Sequence, residues 1–473
     1  MDTDYQVKEF THKVLNQTTP LIGLYIAAAS AICTLAMAAD VFNGFRSRKF
    51  WFPCKYFSLN AVSLTLLAVA MKLPMDLTTD MFTNTDWLGK LSSLIFMSTV
   101  VVHFMPSLGS MNGKEILTNV TALGILVITV NVNVWIQLTA LEARENGQSR
   151  TALLSATIFA IVLLLALVSL AIMVPTMKRC VESKYQEMYK VALMEQLVRT
   201  GVAYDGIHVG DVKKYWVMVE TGSPEFVAAR SVVSMASSAI WFPAAMTLVN
   251  RTFWISSTKA IKGFYVDSVS AYGSAMALII IFQLAGVCVG TLSAAVKWFV
   301  FAHAMCSKTA DRSFKKKSQI EAFWTQRLVD WRGNLSSLHI RHYRCGKCLH
   351  AAKIRILNLC VGVQFSIVLS SKVIVFVSTE LLSILLWCLK CFKKSKTHPS
   401  DVTTSNDHVE SESGHGTEQD LSRFVILLEG EAKLPEVTLK RICNQAENMI
   451  QTGKRKKPKN LIELLKKVPT SGE

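Results

Sequence analysis

Charged side chains make up only 18% of the 473 residues, and residues 151–177 contain none. A globular fold shows one face of most helices to water, so an uncharged run of this length argues against a soluble protein. Catalytic signatures are missing too: there is no Walker loop, no GxGxxG after a strand, no HExxH and no GxSxG elbow. An enzyme is therefore left without a motif to support it, and no cofactor is implied. The 11 cysteines are odd in number and scattered through apolar runs and beside basic clusters. They read as reduced, mostly buried thiols rather than as a secreted disulfide framework. Acidic residues are short of basic ones, 34 against 51, for a net charge of +17. The excess sits in loops beside apolar runs, which fits a positive-inside bias and attraction to anionic lipid, not nucleic-acid binding.

Apolar runs dominate what is present. Residues 152–174 can cross a hydrocarbon core of about 30 Å at about 1.5 Å per residue, and Lys178 and Arg179 follow at once. Weaker runs at 21–41, 57–73, 88–105, 116–138, 232–249 and 274–294 predict further crossings. The expected fold is an all-α polytopic helical membrane protein in a lipid bilayer, with about seven to nine membrane segments and a short helical C-terminal tail module. Ala36-Met37-Ala38 resembles a signal-peptidase site, but the long preceding segment with Asp2, Asp4 and Glu9 favours a retained first helix. Gly286 and Gly290 form a small-xxx-small face suited to tight packing. Residues 356–392 would measure about 55 Å as one helix. Ser370-Ser371-Lys372 is therefore read as the break in a hairpin, or the junction of an interfacial helix and a span.

In order, the chain divides into an exterior N-terminal segment (1–20), a five-helix membrane region (21–173) and a cytosolic loop (174–231). Two further membrane helices (232–304), a basic cytosolic loop (305–355) and the long apolar segment (356–392) follow. A disordered linker rich in Ser, Thr, Asp, Glu and His (393–419) leads to an amphipathic helical tail (420–473), whose last helix starts at Asn460. Loop charge sets the cytosolic assignments. Basic clusters around Lys393 and at 454–459 (KRKKPK) put the tail there as well, where it is available to cytosolic protein partners and anionic lipid.

Residues 213–231, KKYWVMVETGSPEFVAARS, together with FWTQRLVDW at 323–331 and PKNLI at 458–462, resemble a plant family of multi-pass membrane proteins with no assigned biochemical activity. The resemblance implies a membrane protein and supplies no catalytic residue.

Polar residues inside spans are the natural candidates for transport, since lipid exposure would cost several kcal/mol. They are His103, Asn131, Asn133, Gln137 and Gln283; Asn133 and Gln137 share a helix face and Asn131 lies off it. Interhelical hydrogen bonding explains such amides without a substrate. Asp40, Lys72 and Glu380 lie near span ends or in the long segment 356–392, where snorkelling would suffice. His339, His342, Cys345 and Cys348 have donors suited to zinc, although a helix through Arg344 accounts for the same run. Cys388 and Cys391 suit lipidation at a membrane edge. Three functions stay open: a membrane scaffold or signalling component, a transporter or channel, and a membrane enzyme. The last would need titratable groups clustered at one membrane face.

Overall fold

The computed structural model describes residues 2–79, 84–140, 147–200, 209–260, 272–306, 320–333, 343–396, 421–426, 434 and 436–456. Among them every regular element is helical. The helices are α1 (Asp2–Arg46), α2 (Ala61–Ala70), α3 (Lys72–Met75), α4 (Asn84–Phe104), α5 (Gly113–Ala140) and α6 (Gly147–Thr200). They continue as α7 (Val209–Thr221), α8 (Pro224–Arg230), α9 (Val232–Ala260), α10 (Ser274–Cys306), α11 (Phe323–Gly333), α12 (Tyr343–Lys396) and α13 (Glu436–Lys456). Six are long and apolar enough to cross a membrane, or seven if the bent α8–α9 pair counts as one span. The chain is thus an integral, multi-pass helical membrane protein. It folds as two compact units, one of Met1–Lys178 with Pro224–Lys390 and one of Arg179–Ser223 with Cys391–Glu473.

The first unit is built around α4. Its Leu94, Ile95, Phe96, Met97, Val100 and Val101 are fully buried, and so are Ser92, Ser93, Ser98 and Thr99. It is nonetheless the least apolar of the six spans, while α6 is the most apolar. A helix surrounded by protein can keep hydroxyls that a lipid-facing helix cannot. Helix α10 lies against α1, α4 and α9. The small-xxx-small face is used for this: a Cβ on Gly286 would run into Phe96 and Thr34, and one on Gly290 into Thr99.

Hydrogen bonds mark two ends of this bundle. At one, which holds Asp40, the hydroxyl of Ser107 accepts from the Leu59 amide at 3.3 Å, and the Asn119 amide donates to the Leu59 carbonyl at 3.1 Å. At the other, which holds Asp76, the Gln137 amide donates to the carbonyls of Pro74 and Asp76 at 3.1 and 3.2 Å. Eighteen helical residues separate Asn119 from Gln137, about 27 Å, so residues 59–76 cover a full membrane thickness. They do so as a broken span rather than the continuous one expected over 57–73. Asn60 caps α2 through a capping box, and the helix ends at Met71 after ten residues, before α3.

Connectivity then fixes directions. Helix α6 returns to the Asp40 end, where the Lys178 ammonium donates to the Met111 carbonyl. Helix α8 packs there on the turn Pro106–Gly109. Helices α9 and α10 leave and come back, joined near that end by Lys297 and Ser234. Helix α11 stays close to it, with the Thr176 hydroxyl donating to the Phe323 carbonyl at 3.0 Å.

Helix α12 runs unbroken through Ser370-Ser371-Lys372, so the expected turn is absent. Gln364, Val368, Ser371, Lys372, Thr379 and Leu382 form its buried stripe, and the apolar side chains Leu359, Val363, Val377, Leu381 and Ile384 are exposed. Ser371 and Lys372 need no water because they face protein, and the backbone there has no reason to leave the helix. The Gln364 amide donates to the carbonyls of Ser169 and Trp324, and the Trp298 indole to the Ser378 hydroxyl.

In the second unit, α6 from Tyr185, α7 and the described residues of the tail pack together. Phe424 is buried against Ala192 and Met218, with Tyr185, Met188 and Tyr215 around them. Helix α13 lies on α7. Ion pairs join Lys213 to Glu447 at 3.1 Å, Lys214 to Glu195 at 3.3 Å and Arg423 to Glu195 at 3.4 Å. The helix expected from Asn460 lies outside the described residues.

Candidate functional site

Asp40 does not snorkel. It is 0% exposed near the end of α1, and the loop that follows folds back over it. Its Oδ1 accepts from the amides of Lys55 and Tyr56 at 2.8 and 2.7 Å, and its Oδ2 from that of Phe57 at 2.9 Å. Three amides converging on one carboxylate require a tight return. Phe52 takes the left-handed conformation at φ 51°, uncommon for a bulky residue, and its ring packs edge-on against Phe45.

His103, buried at the last turn of α4, brings Nε2 to 3.2 Å from Asp40 Oδ2. Its ring packs beside Phe57 and Phe104, which stack on each other at 4.9 Å. Cys54 donates its thiol to the His103 carbonyl at 3.1 Å. Burial pushes the Cys54 thiol well above its ordinary pKa, and the Asp40 charge adds to that. One ligand atom each from Asp40, Cys54 and His103 lie within 4.8 Å of one another. Close by, Lys297 is buried on α10 and donates to the Ser234 hydroxyl at 3.0 Å. Its ammonium acts on Cys54 in the opposite sense to Asp40. Titratable groups thus cluster at one end of the bundle, the arrangement a membrane enzyme or a metal centre would require.

A second polar cluster closes the opposite end. Tyr272 donates to Asp76 Oδ2 at 2.7 Å, and the hydroxyls of Thr78 and Thr79 donate to the same carboxylate at 2.7 and 2.6 Å. Burial opposes ionisation of Asp76, but these bonds outweigh it and hold the carboxyl well below the usual range. Burial, then the bond to Asp76, raises the Tyr272 phenol. This cluster ties the end of α3 to the segment entering α10.

Between the two ends sits Gln283. The break after α2 frees the Ala70 carbonyl, and the Gln283 amide donates to it and to the Ser30 hydroxyl, both at 3.3 Å. Gln283 Oε1 accepts from Ser92 and Ser93 at 2.8 and 3.0 Å. One side chain therefore links α1, α2, α4 and α10.

Of the candidates named from sequence, Gln137 and Gln283 act between helices and His103 belongs to the Asp40 cluster. Asn133 and Gln137 lie one turn apart on α5, Gln137 buried and Asn133 half-buried, and Asn131 is buried as well. Among the described residues Asn131 has no hydrogen-bond partner for either amide atom. Lys72 is exposed and Glu380 half-buried. His339 and His342 lie outside the described residues, while Cys345 and Cys348 fall in the first turns of α12. Cys388 is half-buried and Cys391 exposed near the end of α12. Asp40, Cys54 and Lys297 were missed as a group. Asp40 and His103 are 63 positions apart, and the only local hint was a carboxylate on an otherwise apolar helix. Comparison with family models, with curated proteins and with solved structures returned no match.

Proposed function

We propose that this protein is a membrane scaffold or signalling component that works through a cytosolic module built from residues 179–223 and 391–473. The carrying observation is that two stretches separated by the later membrane helices share one core around Phe424. Gln137 and Gln283 are spent on interhelical bonds, which withdraws most of the support for a transport path. The unpartnered Asn131 is the observation that favours the transporter reading. Membership of the plant family resembled by the 213–231 block belongs to the same proposal.

Orientation follows from charge and connectivity together. The Asp40 end carries Arg46, Arg48, Lys49, Lys55 and Lys178, whereas the stretch from the Asp76 end into α4 carries Asp76, Asp80 and Asp86. The positive-inside bias makes the Asp40 end cytosolic. Residues 179–223 leave α6 at that end, and the tail packs on them, so the tail shares their side. Helix α11 is also at that end, which leaves α12 with no net crossing. Its contacts with Ser169 and Trp298, in the halves of α6 and α10 nearer the Asp40 end, agree. Its exposed apolar side chains then lie in the cytosolic half of the bilayer, and Cys388 and Cys391 at the cytosolic edge, where lipidation is possible.

The test is proximity labelling from the tail in living cells, comparing the wild type with Phe424→Asp. The account expects the substitution to free α13, seen as faster amide exchange over residues 436–456, and to remove a distinct subset of labelled neighbours. An unchanged set of neighbours, with exchange accelerated, would contradict the scaffold reading.

A further inference from the structure

The Asp40 cluster has two readings. It is either a hydrogen-bonded clamp that fastens the 51–57 loop to the bundle, or a metal centre with the same clamp as its support. We propose the second: Asp40, Cys54 and His103 bind one zinc-like divalent ion, with a fourth position open to water or a small ligand.

Donor chemistry comes first. A thiolate, an imidazole and a carboxylate form a mixed set that suits zinc and its borderline neighbours, not magnesium or calcium, which take oxygen. Each donor comes from a different element: α1, the following loop and the end of α4. The fold has thus brought the three together from positions 40, 54 and 103 rather than along one turn.

Geometry agrees. Two ligands at about 2.0 Å on a tetrahedral ion stand about 3.3 Å apart, and His103 Nε2 lies 3.2 Å from Asp40 Oδ2. The thiol sulfur completes a triangle with no side above 4.8 Å. Closing it to bonding distance needs a shift of about 1 Å, available by giving up the weak bond from Cys54 to the His103 carbonyl.

Support is already built. Both bonds at Oδ1 and one at Oδ2 come from backbone amides, which fixes the carboxylate and leaves a lone pair of Oδ2 directed at His103. Outer contacts of this kind orient metal ligands in known centres. The imidazole is buried, with the paired rings of Phe57 and Phe104 beside it. Within the ligand set charge balances: an ion of charge +2 offsets one carboxylate and one thiolate, with the thiol proton released to solvent on binding, and the nearby Lys297 ammonium stands outside that balance.

The test uses the full-length chain, purified in detergent on a tag that binds no metal, and measures bound zinc by elemental analysis. Cobalt is then exchanged in, and its thiolate charge-transfer and tetrahedral d–d bands are recorded. The expected result is one ion per chain with a thiolate band. Cys54→Ser, nearly isosteric and able to keep the bond to the His103 carbonyl, should lose the band, and His103→Gln should weaken binding at least tenfold. Circular dichroism and a single elution peak confirm that each variant is folded. Cys345→Ser with Cys348→Ser should keep both ion and band. Loss of the ion from that double variant would place the metal at the 339–348 run and overturn the proposal. So would a folded wild type that holds no more metal than folded Cys54→Ser.

Discussion

Replacing Gln283 with leucine removes the side chain that joins four elements in the middle of the bundle. Its oxygen accepts from Ser92 and Ser93, and its amide donates to Ser30 and to the Ala70 carbonyl freed by the helix break. Hydrogen bonds between membrane helices average about 0.6 kcal/mol, so four would total about 2.4 kcal/mol. The net loss is smaller, because Ser92 and Ser93 each keep a second acceptor in the Gly89 carbonyl. The Ala70 carbonyl has no such reserve within its own broken helix. Leucine restores packing volume but no donor, so the expected cost is about 1–2 kcal/mol. Unfolding by increasing SDS fraction in mixed micelles, followed by far-ultraviolet circular dichroism, reads this directly. A Gln283→Leu protein as stable as the wild type would refute the hub, and would return Gln283 to the list of transport candidates.

Two further substitutions probe other joints. Gly290→Val places methyl groups against Thr99 at the contact of α10 with α4, and should cost about 1–3 kcal/mol in the same titration. At the opposite end, Asp76 has a folded pKa below its unfolded value of about 3.9. Its stabilisation is therefore fully present above about pH 4 and is lost as pH falls below that. Asp76→Asn should lower stability at pH 7 and flatten the acid limb of a thermal-melt series, with no change in slope between pH 6 and 8.

Hydropathy made most of the bundle legible, including α1, α6 and α10. It does not single out the central helix. Residues 151–177 stand out because lipid contact demands apolarity, while α4, enclosed by protein, is free to carry Ser92, Ser93 and Thr99 and so looks weaker. The break at Met71 has a local cause, since Pro74 offers no N–H to the Ala70 carbonyl four residues before it, but the donor that makes it tolerable, Gln283, lies more than 200 positions away. The same distance in sequence hid the Asp40 cluster. Near Arg46 and Arg48 a carboxylate reads as a surface group, and only the folded loop shows three amides and an imidazole around it. At 370–372, three polar residues in an apolar run suggest a turn, whereas Ser371 and Lys372 are buried within the continuous α12.

The central claim is that residues 179–223 and the tail occupy one side of the membrane, the cytosol, and fold together there. Short epitopes inserted after Gly206 and after Ser405 of the full-length chain test it by antibody binding in intact, digitonin-permeabilised and fully solubilised cells. Both epitopes are expected to stay silent in intact cells and to appear together once digitonin opens the plasma membrane. One epitope accessible from outside, or visible only after full solubilisation, with the other accessible after digitonin, would mean that α12 crosses and would contradict the account.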